Sequence, residues 1–150
     1  MLLAAYDPST NPINIYGWAF PFLECVHIPS FALSIGTIAL VDVRLLGLGL
    51  QRQAPAQLVK DTSAFTLAGL ITVIVSGVLL FSTDPLHYYY NSAFRFKVIC
   101  LVLGIVFNFT IHRKVALNTD SSVTASRLAG AASLLIWVCV VFGGVFYSFY

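Results

Sequence analysis

Two ionisable residues three positions apart in an otherwise apolar stretch, Glu24 and His27, are the first groups in this sequence able to do chemistry. On a helix they stand one turn apart on a single face, which Phe31 and Ser34 continue. Ionisable groups are costly inside lipid, so an imidazole beside a carboxylate there reads as a ligand with its supporting partner. His27 would offer one ring nitrogen to a metal, while Glu24 would hold the other nitrogen and raise the ligand's basicity. A purely structural alternative has Glu24 accepting from His27, each satisfying the other. Pro29 follows two residues later and cannot donate to the carbonyl of Cys25, so a bend is expected. A bend beside a histidine makes room for a bulky group.

A second set lies in the third apolar stretch. At about 100° per residue, Lys97, Cys100, Leu101, Gly104 and Asn108 form a stripe, with His112 at its margin and Arg95 and Arg113 turned away. Lys97 lies near a membrane surface, where it can meet an anionic ligand or snorkel to the headgroups. Asn108 is deeper and should hydrogen-bond within the interior, and Gly104 lets a partner helix or a flat ligand approach. Depth separates the two histidines. If this helix starts near Phe94, His112 lies about 27 Å along it, whereas His27 lies only roughly 10–18 Å in from the same side. One metal about 2 Å from both nitrogens would need those depths to match. His27 is therefore expected to pair with Lys97 or His87. His112, beside Arg113 and Lys114, is expected at the membrane interface, and its loss should be mild. Asp42 and Arg44, two residues apart, share no helix face and should pair with other helices or cap the bundle.

Other chemistry is absent from the pattern. No phosphate loop, zinc spacing or nucleophile triad occurs. The cysteines Cys25, Cys100 and Cys139 all fall in apolar stretches and read as small buried hydrophobes rather than a disulfide framework. Met1 is the lone methionine, which argues against a thioether-lined copper path.

The elements that must position these residues are legible in composition. Of 150 residues, 59% are hydrophobic and 9% charged, and the mean hydropathy is +0.89. A soluble domain carries roughly 25% charged residues, so the excess apolar surface must face lipid. Four apolar stretches approach the ~20 residues that cross the hydrocarbon core. The expected fold is all-α, a single integral membrane domain, 1–150, of four transmembrane helices at about 13–48, 62–82, 93–116 and 122–149. Asn11-Pro12 is expected to cap the first, Asp61, Thr62 or Ser63 the second, Asn91 or Ser92 the third, and Asp120, Ser121 or Ser122 the fourth. Gln51–Lys60 and Ala116–Ser126 read as polar linkers. Thr66, Gly69, Val73, Ser76 and Gly77, with Ala129, Ser133, Gly143 and Gly144, are small-residue positions where helices can come close in lipid.

Charge sets the expected orientation. Arg44, Arg52, Lys60, Arg113, Lys114 and Arg127 flank two connections, against Arg95 and Lys97 toward the other side. The positive-inside rule puts those connections in the cytoplasm and both termini on the outer side. Tyr16, Trp18, Tyr88, Tyr89, Tyr90, Tyr147 and Tyr150 would form an aromatic belt there. The opening residues lack a basic leader segment and do not read as a signal peptide. A net charge of +2 implies no nucleic-acid partner.

The string Glu24-Cys-Val-His27, Gly36, Asp42-Val-Arg44-Leu-Leu-Gly47, Gly77-Val-Leu-Leu-Phe81, Asn91-Ser-Ala-Phe-Arg-Phe-Lys97, Asn108 and Trp137 resembles an uncharacterised family of four-helix bacterial membrane proteins. More distantly the chain is similar to the CopD copper-resistance proteins and the HemJ-type protoporphyrinogen oxidases. In the latter, a histidine of the first helix and a lysine of the third accompany haem b, and His27 and Lys97 stand at the matching positions. The four-helix family often carries a Gly-Arg pair in its last helix; Gly143-Gly144 stands here instead, so no role of that arginine carries over. The resemblance implies a multi-pass protein of the bacterial inner membrane that binds haem b, for electron transfer or for oxidising a small hydrophobic substrate such as a quinol. His27 would be the metal ligand, Lys97 or Arg95 would meet the propionates or Lys97 the far axial side, and Glu24 and Asn108 would complete the site. Two alternatives stay open: CopD-like copper binding through Cys25, His27 and Cys100, and an accessory subunit of a larger respiratory or photosynthetic complex. Membrane lipid, a quinone, a larger complex or a second copy of the chain are the expected partners.

Overall fold

A computed structural model describes residues 6–147 and 149, which leaves Met1 and Tyr150 outside it. Four long helices dominate: α1 (Ala19–Leu46), α2 (Pro55–Thr83), α3 (Ser92–Leu117) and α4 (Val123–Tyr147). Each is long and apolar enough to cross a bilayer. Their outward faces carry exposed Leu33, Leu40, Ile74, Val78, Leu103 and Val106. A helix apolar on all sides is stable in lipid, where every backbone group must be satisfied within the helix itself.

The helix ends follow local chemistry, with two departures from expectation. Asn11 does cap a helix, its side chain accepting from the Ile13 N–H, but that helix is only Pro12–Ile15. The chain then breaks before α1 begins at Ala19. At the other end of α1, Gly47 takes φ 77°, and its N–H bonds Arg44 while that of Leu48 bonds Val43. Only a residue without Cβ adopts this left-handed cap cheaply. The second departure is α2. It starts at Pro55 rather than near Asp61, because proline is preorganised for the first helical position and its missing N–H costs nothing there. Asn91 caps α3 by accepting from Phe94 N–H, and Ser122 accepts from Ala125 N–H ahead of α4.

In the bundle, α1 packs on α2 and α4, and α3 packs on α4; α2 meets α3 chiefly through the last turn, Arg113–Leu117. Ile38, Leu70, Cys100, Trp137 and Val140 form the central core. Val41, Leu45, Leu58, Val59 and Ala116 form a second cluster toward the end rich in Arg and Lys, here called the basic end. The opposite, tyrosine end gathers the start of the chain and the close of α4. The Asn11 amide donates to the Ser82 carbonyl at 2.8 Å, and the Tyr88 and Tyr147 rings stack at 5.0 Å.

Small residues set the helix spacing, at Gly69 as its position suggested and at Gly130, which the sequence pattern had not singled out. At Gly69 of α2 an added Cβ would fall 2.8 Å from the Ser30 carbonyl oxygen of α1. At Gly130 of α4 it would lie 2.9 Å from the Asp42 carbonyl oxygen. Both distances are below contact, so glycine there is a condition of close packing.

Candidate functional site

The interior holds two polar groups at different depths. Toward the tyrosine end, His27 of α1 reaches α2, where its Nδ1 lies 2.8 Å from Ser76 Oγ. The direction of that bond can be worked out. With its hydroxyl proton given to the Thr72 carbonyl, 2.6 Å away, Ser76 would accept and His27 Nδ1 would donate. In the neutral ring, Nε2 then carries the lone pair. That nitrogen makes no hydrogen bond to the described residues, and His27 is half-buried. Gly77 leaves the ring its place, since an added Cβ would sit 3.2 Å from His27 Cε1.

Lys97 of α3 belongs to the same half. Its Nζ lies 6.0 Å from the centre of the Phe31 ring, one turn beyond His27 on α1. Its stem runs over α4, where an added Cβ on Gly143 would meet the Lys97 Cβ at 3.0 Å. The Gly143-Gly144 pair thus makes way for the lysine. Among the described residues the one ion pair joins Asp42 and His112, so no carboxylate balances Lys97.

Glu24 and Arg95 take no part in this arrangement. Glu24 is exposed, and the nitrogen it was expected to hold is taken by Ser76. Ser76 lies on another helix, so a partner for the imidazole could be sought in sequence only among the small residues of α2. Arg95 is exposed, as its place opposite the stripe indicates. Cys25 is exposed and Cys100 buried. No three His, Cys, Asp or Glu side chains come together to hold a metal ion among the described residues.

The second group lies toward the basic end, where Asp42, His112 and Ser133 bring together α1, α3 and α4. His112 Nε2 is 2.6 Å from Asp42 Oδ1, and Ser133 Oγ donates to Asp42 Oδ2 at 2.9 Å. Asp42 and Ser133 are fully enclosed and His112 is 3% exposed. Beside the end of α1, His112 is turned into the bundle, a direction that its depth along α3 had not fixed. Its neighbours Arg113 and Lys114 are exposed while it points inward. The reason is a π turn over Asn108–His112, in which the Arg113 N–H bonds the carbonyl of Asn108, five residues back. The wider register advances each side chain less around the axis. His112 thereby returns from the margin of the stripe to the buried face held by Cys100, Gly104 and Asn108. Asn108 stands with this second group, not with His27, and its side chain makes no hydrogen bond to the described residues.

Four lipid-length helices around ionisable side chains on their inner faces define a multi-pass helical membrane protein. Its sequence belongs to a family of unknown function, DUF6644, matched by residues 13–150. No curated protein and no solved structure matches the chain.

Proposed function

We propose that the chain is a redox protein of the bacterial inner membrane that holds haem b in the half of the bundle containing His27 and Lys97. The observation that carries this reading is the state of His27. Its Nδ1 lies 2.8 Å from Ser76 Oγ, which has the Thr72 carbonyl as an acceptor for its own proton, and its Nε2 has no partner among the described residues. A metal-ligating histidine has this form, one nitrogen anchored and the other presented. The donor set suits such a group, because an uncompensated Lys97 supplies the positive charge that a propionate needs. The likeness of His27 and Lys97 to the HemJ pair points the same way. Bound there, haem b would supply one-electron chemistry, in electron transfer or in the oxidation of a small hydrophobic substrate such as a quinol.

The protein's own part follows from the geometry. Ser76 fixes the tautomer and the ring plane of His27, Gly77 gives the ring clearance, and Phe31 with Leu101 lines the apolar core beside it. Lys97 would hold a propionate of the group if it binds there. The excess of basic residues at the opposite end supports an orientation with that end in the cytoplasm and both termini outside. The purified protein is expected to show a Soret band and to give a b-type pyridine haemochrome. His27→Ala should lose the band while still inserting, and a variant with an unchanged spectrum would refute the ligand assignment.

A further inference from the structure

A small cavity adjoins the second polar group. It has a volume of about 30 Å³, and its polar wall comprises Thr37, Thr66, Asn108 and His112. Ser63 and Arg113 also line it, toward the basic end. One water needs roughly 10–15 Å³ and two or more polar partners, so the space suits one or two waters. Asn108 supplies the strongest sign that something polar belongs there. Its residue is 8% exposed and lines the cavity. Its carboxamide bonds no protein group, yet no fully enclosed side-chain nitrogen or oxygen among the described residues lacks a partner. The amide therefore owes its remaining access to the cavity it lines.

We propose that Asp42, His112 and Ser133 form a proton-binding site, loaded through water in this cavity from the basic end. With His112 neutral, its Nε2–H is donated to the Asp42 carboxylate and the group carries one negative charge. Its Nδ1 makes no hydrogen bond within the described protein. A proton delivered from a hydronium to that nitrogen leaves water behind and turns the group into a neutral imidazolium–carboxylate pair. The proton is carried on the His112 ring, and the stoichiometry is one proton per pair.

The surroundings favour a proton over a metal cation. From α1 the carboxylate of Asp42 faces His112, and the Arg44 side chain turns away to the Gln53 carbonyl. The wall given by α2 holds hydroxyls and apolar groups, and α4 contributes Ser133. Arg113 of α3, at the cavity's edge, repels metal cations. Both Asp42 oxygens are already occupied, by His112 and Ser133, so no anionic ligand faces the cavity. The site is independent of whether haem binds at His27.

The test uses the full chain in lipid nanodiscs with nitrogen-15-labelled histidine. As pH is swept, the His112 ring should take up one proton in a single step. Asp42→Asn, which keeps the shape but cannot balance an imidazolium, should abolish that uptake over the same range. Exchange of the His112 ring proton with water should slow by about tenfold or more in Asn108→Leu or Thr66→Leu, which fill the cavity from different helices, while His27 stays unchanged. A wild-type His112 ring that keeps one protonation state throughout overturns the proposal. So does ring-proton exchange that is equally fast in a folded, plugged variant. Because the wild-type titration stands by itself, misfolding of a plug would not rescue the idea.

Discussion

The two polar groups of this bundle are opposites. At the basic end, Asp42 has both oxygens hydrogen-bonded and a histidine opposite it, and the group is shut away from lipid. At the tyrosine end, His27 has one nitrogen bonded and, among the described residues, no partner for the other, and Lys97 has no counter-charge among them. Inside a membrane an unsatisfied polar group is expensive. The Asp42 carboxylate is satisfied within the protein and ties three helices together whether or not the group also takes up a proton, whereas Lys97 and His27 have a reason to exist only if something else completes them. Having an ionisable residue in lipid does not by itself tell a structural role from a binding one. Whether the charge is balanced does: Asp42 faces His112, and Lys97 faces no carboxylate among the described residues.

The sharpest way to break that contrast is to remove each histidine in turn. His112→Ala leaves Asp42 a buried charge held by Ser133 alone, and loss of one partner from a buried pair costs about 3–5 kcal/mol. His27→Ala in the cofactor-free protein loses a single neutral hydrogen bond, worth about 1 kcal/mol. Unfolding in mixed micelles should rank the two variants in that order. Equal destabilisation would mean that both groups are structural. Backbone clearance provides the next largest effect. Gly130→Ala would drive its Cβ to 2.9 Å from the Asp42 carbonyl oxygen, and overpacking of this kind costs about 1–3 kcal/mol. Gly144→Ala meets Lys97 only at 3.7 Å and should leave the midpoint of thermal unfolding in place. A harmful Gly144→Ala would show the lysine end to be as tightly built as the other.

How much of this was legible in the sequence depended on the range of the interaction. Helix number, the buried stripe of α3 and the outward face of Arg95 follow from hydropathy and period, which are local properties. The caps at Asn11, Asn91 and Ser122 were readable for the same reason, while Pro55 lengthened α2 because a proline that starts a helix resembles one that ends a linker. The partners were not readable. Glu24 sits one turn from His27 and looked like its mate, yet a serine 49 positions away took that place. His112 was placed at the membrane interface from its neighbours Arg113 and Lys114 and at the margin of the α3 stripe from its period, and a five-residue turn with no plain sequence signature turned it inward. Asp42 was rightly expected to pair with another helix, but its partner 70 positions away could not be named.

Smaller effects sharpen the contrast from the side of the incomplete group. Ser76→Ala removes the acceptor that fixes the His27 tautomer, and loss of such a supporting partner weakens metal-site binding by about 10–100-fold. Haem titration should show that loss while unfolding of the cofactor-free protein changes by no more than about 1 kcal/mol. An unchanged affinity would mean that Ser76 merely fills space.

The smallest change in stability, and the most discriminating, is expected of Lys97→Met. Methionine keeps the unbranched stem that lies over Gly143 and against Phe31, and deletes only the charge. If the ammonium is a binding group without a partner in the empty protein, its removal relieves a cost. The cofactor-free variant should then unfold at the same temperature as the parent or slightly above it. Affinity for haem should fall, and the fall should be smaller for a haem whose propionates are esterified, since that ligand offers Lys97 no carboxylate. A cofactor-free Lys97→Met that is clearly less stable than its parent would place the lysine among the structural groups, and the difference between the two ends of the bundle would disappear.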